Sequence, residues 1–193
     1  MNIEIVEEAG YASALQGLAL SYNKTAIEVQ SVSLKLYNMD GGHNKFLESI
    51  IAWIQIDAPR YWWQQFDTYR IGVTKQSGST MHTLMKRHLN QDDFESSISD
   101  TTLCRLNALI DEKDFDHLKN ELPEGFLQTR IICANYMTLR RIVSQRMSHK
   151  LIQWQQFCDV IIHTVEYPEY FSDLKERFDE HTINRRKDRS NPA

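Results

Sequence analysis

The chain has 193 residues, of which 41% are hydrophobic and 25% are charged, and its formal net charge at pH 7 is −4. This composition is typical of a folded globular protein, and the negative net charge argues against a general nucleic-acid-binding surface. The opening sequence MNIEIVEEAG lacks the basic residues of a secretion signal, and no apolar run approaches the roughly 18 residues that span a bilayer. We therefore expect a cytoplasmic protein that works without nucleic acid or a membrane as its partner.

The first third of the chain carries signals for helices around one buried strand. Apolar residues such as Leu15, Leu18 and Ala19 recur at helical spacing. The run SIIAWIQID is rich in Ile and Trp and stops near a proline, which favours a strand. In chain order, the predicted elements are a helix over Tyr11–Ser21, a turn over Asn38–Asn44, a short helical piece near Phe46, a strand over Ile50–Ile56 and a helix over Pro59–Tyr69.

A polar segment, IGVTKQSGSTMHT, follows that helix. It has two glycines and neither a helical nor a strand period, so it predicts a loop, and loops of this length tend to be functional. In the helix before it, Trp62, Trp63 and Phe66 form a stripe that is typical of a core. Tyr69 adjoins the segment and is better placed to stack on a ligand.

Beyond this segment the pattern is mostly helical. Strands are few and far apart, and no β-α-β alternation occurs, so the class is α+β with helix in excess. We predict one domain over residues 1–180 and a polar, basic tail over 181–193 that contains the cluster Arg185–Arg189. The predicted elements are helices around Leu103–Ile110 and Phe115–Leu118, a strand over Phe126–Cys133, helices over Asn135–Gln145 and Lys150–His163, and a last helix over Tyr170–Glu180.

Local signatures of metal, disulfide and phosphate-loop sites are missing from the sequence. The three cysteines are odd in number and have no CxxC spacing, so we interpret them as free, buried thiols. The seven histidines are scattered, and no GxGxxG, P-loop or HExxH motif occurs.

Cationic and amide side chains collect at the ends of the predicted elements. Such clusters suit a phosphate, because guanidinium groups bond its oxygens in pairs and hydroxyl groups bond the remaining ones. The alternative is a solvated or ion-paired helix face, which is the commoner arrangement of such arginines. The residues concerned are Gln65 and Arg70 at a helix end, Lys75, Gln76, Ser77 and Ser79 in the predicted loop, and Arg140, Arg141 and Arg146 on the helix that begins at Asn135.

Two segments resemble the flavin-dependent thymidylate synthases, especially their short phage-type members. The first, PRYWWQQFDTYRIGVTKQSGSTMH, is similar to the family's signature segment, a helix ending in RHRxxSxNExSxR. Aligned without gaps, Arg70 occupies the third signature position, Gln65 matches the glutamine five residues earlier, and Pro59 matches the proline that opens the helix. The signature is degenerate, since several other family residues are replaced, by Thr68, Tyr69, Val73, Lys75, Gln76 and Thr80.

The second segment, LPEGFLQTRIICANYMTLRRIVSQR, resembles a proline-strand-asparagine-helix-arginine segment of the same family. Pro123, Asn135 and Arg146 match their family counterparts, and Lys119 stands where the family has an arginine. Together the two segments cover about half of the region from Ile50 to Ile162.

The resemblance implies an α+β fold, rich in helix, with a small antiparallel sheet. It implies an enzyme, a methyltransferase that converts dUMP to dTMP, with FAD as cofactor and NADPH and methylenetetrahydrofolate as co-substrates. Family active sites lack a nucleophilic cysteine and are assembled from several subunits of a homotetramer, so we expect self-association. Two alternatives stay open, namely a related pyrimidine-nucleotide hydroxymethylase and a non-catalytic nucleotide-binding or structural homologue.

The resemblance also implies the binding residues, and none of them is assigned as a nucleophile. In the altered signature, Lys75, Ser77 and Ser79 are expected to replace the missing arginines at the phosphate. The residues expected to bind dUMP are Gln65, Lys75, Ser77, Ser79, Lys119 and Arg146. Those expected to bind the cofactor are Tyr69, Arg70, Gln76, Asn135 and Arg141.

Overall fold

The structure, a computed structural model, describes residues 1–190 and the side chains of residues 1–183. Its strands are β1 (Asn2–Ala9), β2 (Ile51–Pro59), β3 (Val73–Ser77) and β4 (Leu127–Asn135). Its α-helices are α1 (Tyr11–Tyr22), α2 (Ala26–Leu36), α3 (Arg60–Phe66), α4 (Thr80–Thr83), α5 (Asp100–Asp111), α6 (Phe115–Glu121), α7 (Tyr136–Arg146), α8 (Ile152–Thr164) and α9 (Ser172–Ser190). The side chains of the predicted basic cluster, Arg185–Arg189, lie outside the described residues.

Within residues 1–190 the strands form one antiparallel sheet in the order β1-β2-β4-β3. Backbone hydrogen bonds set the register of β2 against β4. The Arg60 N–H donates to the Phe126 carbonyl at 3.1 Å, and the Tyr136 N–H donates to the Ile50 carbonyl at 2.9 Å. The predicted α+β class, with helix in excess of a small antiparallel sheet, is confirmed.

The described chain divides into two compact units, and each of them includes part of every strand. Unit 1 comprises Met1–Glu4, Gln55–Arg70 and Lys75–Ile132. Its core contains the stripe of Trp62, Trp63 and Phe66, which is fully buried as the sequence predicted. A second apolar cluster packs α5 and α6 around Leu84, Leu89, Phe94, Leu106, Leu109, Ile110, Leu118 and Leu122.

Unit 2 comprises Ile5–Ile54, Ile71–Thr74 and the chain from Cys133 onward. Its largest fully buried side chains include Trp154, Tyr136, Tyr170, Phe157 and Phe171, which come from α7, α8 and the 3-10 turn at Pro168–Phe171. Neither unit is a single stretch of sequence, because the chain enters each of them more than once. The single domain over 1–180 therefore stays a prediction.

The predicted loop at IGVTKQSGSTMHT is wrong, because it contains β3 and α4. The Gly78 N–H donates to the Thr129 carbonyl at 3.0 Å, which places the segment beside β4. β3 is the last strand of the sheet, and an edge strand with one exposed face carries polar side chains without an alternating apolar signal. Along β3, Val73 is its buried residue, and Gln76 and Ser77 are exposed.

Three further differences concern the N-terminus, the helix before β3 and the thiols. Strand β1 and helix α2 were not predicted, and α3 ends at Phe66 rather than at Tyr69. The prediction of three buried thiols is wrong, because Cys104 is exposed and Cys133 is half-buried, and of the three Cys158 is buried. Among the described residues, the helices are too short or too polar to cross a bilayer.

Candidate functional site

In unit 1, the segment after α3 and strands β3 and β4 bring two cations onto one carboxylate. The Lys75 Nζ lies 2.8 Å from the Asp67 Oδ1, and the Arg130 Nη1 lies 3.1 Å from the same oxygen. The Arg130 Nη1 also donates to the Asp67 Oδ2 at 3.2 Å, while its Nη2 donates to the Gln128 Oε1 at 3.1 Å. This cluster carries a net charge of about +1, with two cations and one anion.

Aromatic rings lie beneath both cations of the cluster. The Arg130 guanidinium carbon is 4.5 Å from the centroid of the Trp63 ring, and the Lys75 Nζ is 5.7 Å from that of Phe66. Trp63 itself is fixed, since its Nε1 donates to the Gln128 carbonyl at 2.9 Å. The side chains of Lys75 and Arg130 are 21% and 17% exposed, whereas that of Asp67 is 45% exposed.

The electrostatics of the cluster follow from these contacts. Burial raises the pKa of Asp67, but hydrogen bonds and charge from Lys75 and Arg130 lower it by more, so it lies below its ordinary value. Asp67 is therefore ionised at neutral pH, and Lys75, predicted to bind phosphate, is held by an internal anion.

Lys119 lies beside the start of α4. Its Nζ donates to the Thr80 Oγ1 at 2.9 Å, and Thr80 is the residue that follows Ser79. The Ser79 carbonyl accepts hydrogen bonds from the Thr83 hydroxyl and N–H, and its own hydroxyl makes no capping bond to α4. Thr80 also lines a cavity of about 610 Å³ in unit 1, together with Gly78, Asp57, Thr83, Arg87, Phe126, Gln128 and Thr129 among others.

The remaining predicted residues of unit 1 lie around the C-terminus of α3 and on β3. The Gln65 carbonyl accepts a hydrogen bond from the Thr68 hydroxyl at 2.8 Å. The Tyr69 ring packs edge-on to Phe66, with centroids 5.8 Å apart, and is half-buried. Arg70 and Gln76 are exposed.

In unit 2, Asn135 caps α7. Its Oδ1 accepts from the Thr138 N–H at 2.9 Å, and its own N–H donates to the Gly72 carbonyl at 3.4 Å. Gly72 has φ +72°, and a Cβ there would lie 2.3 Å from the Thr138 Oγ1 and 3.1 Å from the Asn135 Nδ2. The close approach therefore requires glycine, and it fixes the amide that was predicted to bind the cofactor.

The three arginines of α7 have different surroundings. Arg140 is a structural residue, since its guanidinium bonds both carboxylate oxygens of Asp173 at 2.9 and 3.0 Å and lies 4.8 Å from the Tyr37 ring centroid. Arg141 is exposed, and Arg146 lies 4.7 Å from the Trp154 ring centroid at the end of the helix. Burial and the charges of Arg146 and Lys150 lower the pKa of His149.

Solved structures of similar architecture exist at low sequence identity. Thymidylate synthase X (ThyX) from Helicobacter pylori with FAD and dUMP superposes with a TM-score of 0.75 at 16% identity, covering 90% of this chain and 99% of that one. A second structure of H. pylori flavin-dependent thymidylate synthase ThyX, also complexed with FAD and dUMP, gives a TM-score of 0.76 at 17% identity over the same shares. The fold is that of the flavin-dependent thymidylate synthases. No family model and no curated protein matches the sequence.

The thymidylate synthase fold confirms the part of the resemblance that concerns architecture. At this identity the likeness shows the fold alone, so the binding roles of individual residues stay predictions. Within the described residues, no group of three or more His, Cys, Asp or Glu side chains could hold a metal ion.

A cavity in unit 2 was missed by the sequence analysis. It has a volume of about 490 Å³ and lies among α1, α2 and the turn before β2. Its lining mixes apolar side chains such as Leu18, Leu36 and Phe46 with hydroxyl groups and with His43 and Lys45. The sequence showed this stretch as a glycine turn, and no local pattern there pointed to a ligand.

Asp67 and Arg130 were also missed. Arg130 falls within a predicted strand, FLQTRIIC, whose apolar and polar residues alternate only loosely. An arginine beside apolar residues in a strand needs a partner when it is covered, and that requirement was the available signal.

Proposed function

We propose that this protein is a flavin-dependent thymidylate synthase-like methyltransferase that converts dUMP to dTMP. Methylenetetrahydrofolate would supply the carbon and NADPH the reducing equivalents. The observation that carries the proposal is the fold, because the two structures of H. pylori ThyX that it resembles over 99% of their chains were solved with FAD and dUMP. We further propose a homotetramer, as the resemblance implies.

We propose that the cavity of unit 2 holds part of the flavin. A volume of about 490 Å³ lies within the range of roughly 300–1,000 Å³ that is common for small-molecule sites. Phe46, Leu18 and Leu36 offer an apolar wall for a planar ring, while Lys45 offers a cation and His43 a further polar group. Bound FAD would supply the hydride chemistry, and the chain's own residues would hold and orient it.

The cations of unit 1 support binding of the nucleotide. Lys119 is half-buried and already donates to a hydroxyl oxygen, so it is placed to donate to an oxygen of the nucleotide near Thr80. Ser77 and Ser79 lie before it along the chain, with exposed and half-buried side chains respectively. In unit 2, Arg146 at the end of α7 is the proposed partner of dUMP, and Arg141 and Asn135 of the cofactor.

Two measurements test the flavin. We expect the purified protein to retain flavin with a visible absorbance band, and His43→Ala with Lys45→Met to reduce the retained amount several-fold. The matched control is His163→Ala, since the His163 ring bonds the Asp159 carbonyl within α8 and lies outside the cavity lining. Equal retention by both variants would remove the unit 2 cavity from the flavin site.

Two further measurements test the substrate and the reaction. Calorimetric titration with dUMP should show weaker binding by Lys119→Met and by Arg146→Met than by the wild type. Arg105→Met is the control, because Arg105 pairs with Glu121 on an exposed surface of α5 and α6. Rescue of a thymidine-requiring host by the wild-type gene tests the synthase activity itself, and failure to rescue with the folded, flavin-loaded protein would contradict it.

A second candidate function, a non-catalytic nucleotide-binding homologue, is favoured by one observation. Lys75, the predicted replacement for a signature arginine, already has an internal anion as its partner. A protein that binds dUMP and flavin but neither rescues the host nor forms dTMP in a purified assay would meet this description.

A further inference from the structure

We infer that Lys75 and Arg130 form an anion site that binds the phosphate group of a ligand. The Asp67 carboxylate occupies this site in the structure and competes with the phosphate for it. The inference rests on the proposed function in one respect, since it assigns this site to the phosphate of the nucleotide. It adds Arg130 and Asp67 to the binding residues and gives Asp67 the role of an internal competitor.

Convergence of the cations is the first observation. Lys75 and Arg130 reach the same oxygen of Asp67, at 2.8 and 3.1 Å, although they come from different strands. Two cations that lie at hydrogen-bonding distance from one oxygen atom enclose a position suited to an oxyanion. A phosphate oxygen at that position would make the same two contacts.

The second observation is that the cations are held independently of Asp67. The Arg130 guanidinium lies over Trp63, and its Nη2 donates to the Gln128 Oε1. Lys75 lies over the Phe66 ring. Both aromatic rings are fully buried, so the two cations would keep their positions when the carboxylate leaves.

Asp67, by contrast, is placed so that it can leave. It is the residue after the last turn of α3, and its side chain is 45% exposed, more than twice the exposed fraction of either cation. Rotation about its side-chain bonds would place the carboxylate in water, since nearly half of the Asp67 side chain is already exposed.

Charge decides what kind of ligand would take the place of Asp67. With the carboxylate rotated away, the site has two cations, which complement the dianion of a phosphate monoester. One donor of Arg130, its buried Nε, has no hydrogen-bond partner among the described residues. A neutral nucleoside would gain nothing from the exchange.

Competition predicts an unusual direction for one substitution. Asp67→Asn removes the competing charge, so orthophosphate and dUMP should bind about tenfold more tightly than they bind the wild type. Asp67→Ala should act in the same direction, and deoxyuridine should respond to neither substitution. In the Asp67→Asn background, adding Arg130→Gln or Lys75→Met should weaken orthophosphate binding by about tenfold.

The test is a calorimetric titration of the full chain with orthophosphate, dUMP and deoxyuridine. The matched control is Glu121→Gln, which frees Arg105 in the same unit with the same change of charge, from a pair at 3.0 Å. Arg130→Lys keeps the charge but loses the paired donors, and it serves if Arg130→Gln unfolds by circular dichroism. In the Asp67→Asn background, Arg130→Lys should also bind orthophosphate more weakly than its parent.

The outcomes separate this inference from the proposed function. If Asp67→Asn binds orthophosphate no more tightly than Glu121→Gln does, the inference is overturned, even when the wild type binds flavin and dUMP. If Asp67→Asn gains affinity for orthophosphate and loses it with Arg130→Gln, the anion site stands. That result would hold even if dUMP bound no better than orthophosphate and no flavin were retained, which would count against the proposed function alone.

Discussion

Asp67 in unit 1 and Glu8 in unit 2 are both partly covered carboxylates, but their partners differ in charge. Asp67 is bonded by two cations. Glu8 is bonded by neutral groups, since the Tyr136 hydroxyl donates to its Oε2 and the Glu166 N–H donates to its Oε1 at 2.6 Å. The pKa of Asp67 is lowered, whereas burial raises the pKa of Glu8 by more than its hydrogen bonds lower it.

The difference shows what each cluster is suited to do. Neutral donors satisfy the oxygens of Glu8 without supplying charge, so that cluster ties β1 to the start of α7 and to the turn before Pro168. The cations around Asp67 more than offset the cost of its burial and leave one positive charge over. A surplus positive charge attracts an anionic ligand, whereas the uncharged donors around Glu8 do not.

The largest effect should come from breaking the aromatic support of the Asp67 cluster. Trp63→Ala should lower the free energy of unfolding by about 3–5 kcal/mol, because Trp63 is fully buried and packs against Trp62 and Phe66. Trp63→Phe should cost less and should keep a ring beneath Arg130. Urea denaturation measures both, and equal losses for the two variants would show that the ring at position 63 does not hold the cluster.

The next effect tests the neutral network. Tyr136→Phe should lower the free energy of unfolding by about 1–3 kcal/mol, because it removes the donor to Glu8 and the acceptor of the Tyr167 N–H at 3.3 Å. The ring contact with Phe171, at 5.2 Å between centroids, is kept. The loss should be larger at neutral than at acidic pH, since the ionised Glu8 depends most on the hydroxyl. A loss independent of pH would contradict this account of Glu8.

The two clusters also show which parts of the fold could be predicted from the sequence. Helical periodicity and the apolar run of β2 identified most helices and the central strands, because those patterns report burial on one face. Strand β3 was not predicted, because an edge strand carries no such apolar pattern. The same strand brings Lys75 to the carboxylate of Asp67, which Arg130 also bonds, although the two cations are far apart in sequence.

The candidate site was predictable only in part, for a related reason. The resemblance predicts Gln65, Asn135 and Arg146 from matching positions, and Lys119 because a lysine keeps the positive charge of the family's arginine, and these roles stay predictions. It had no means to find Asp67 or Arg130, whose importance lies in a contact between β4 and the end of α3. The cavity of unit 2 is likewise made by side chains from several elements, so no local spacing revealed it.

A smaller effect concerns the ion pairs alone. Lys75→Met should change the free energy of unfolding by at most about 1 kcal/mol, since the pair with Asp67 is partly exposed and Arg130 still bonds the carboxylate. It should also move the pKa of Asp67 upward, because one of the groups that lower it is removed. A carboxyl-region NMR titration measures that shift, and an unmoved Asp67 resonance would mean that Lys75 does not bond it in solution.

The smallest effect is the difference in how the two carboxylates respond to pH. Because the folded pKa of Asp67 is depressed, its stabilising contribution is present above the unfolded pKa and is lost as pH falls through the folded value. Glu8 has a raised folded pKa, so its contribution is present below the unfolded pKa and is lost as pH rises through the folded value. Relative to the wild type, Asp67→Asn should therefore lose stability as pH rises through the acidic range, while Glu8→Gln should gain it.

Urea midpoints measured across that range, with unchanged denaturant slopes, give the two difference curves. Glu121→Gln should follow the direction of Asp67→Asn, because the hydrogen bond from Arg105 lowers the pKa of Glu121 as well. Curves of the same sign for Asp67→Asn and Glu8→Gln would mean that the charge of the partners does not distinguish the two clusters, and the case for a surplus cation at Asp67 would lose its electrostatic basis.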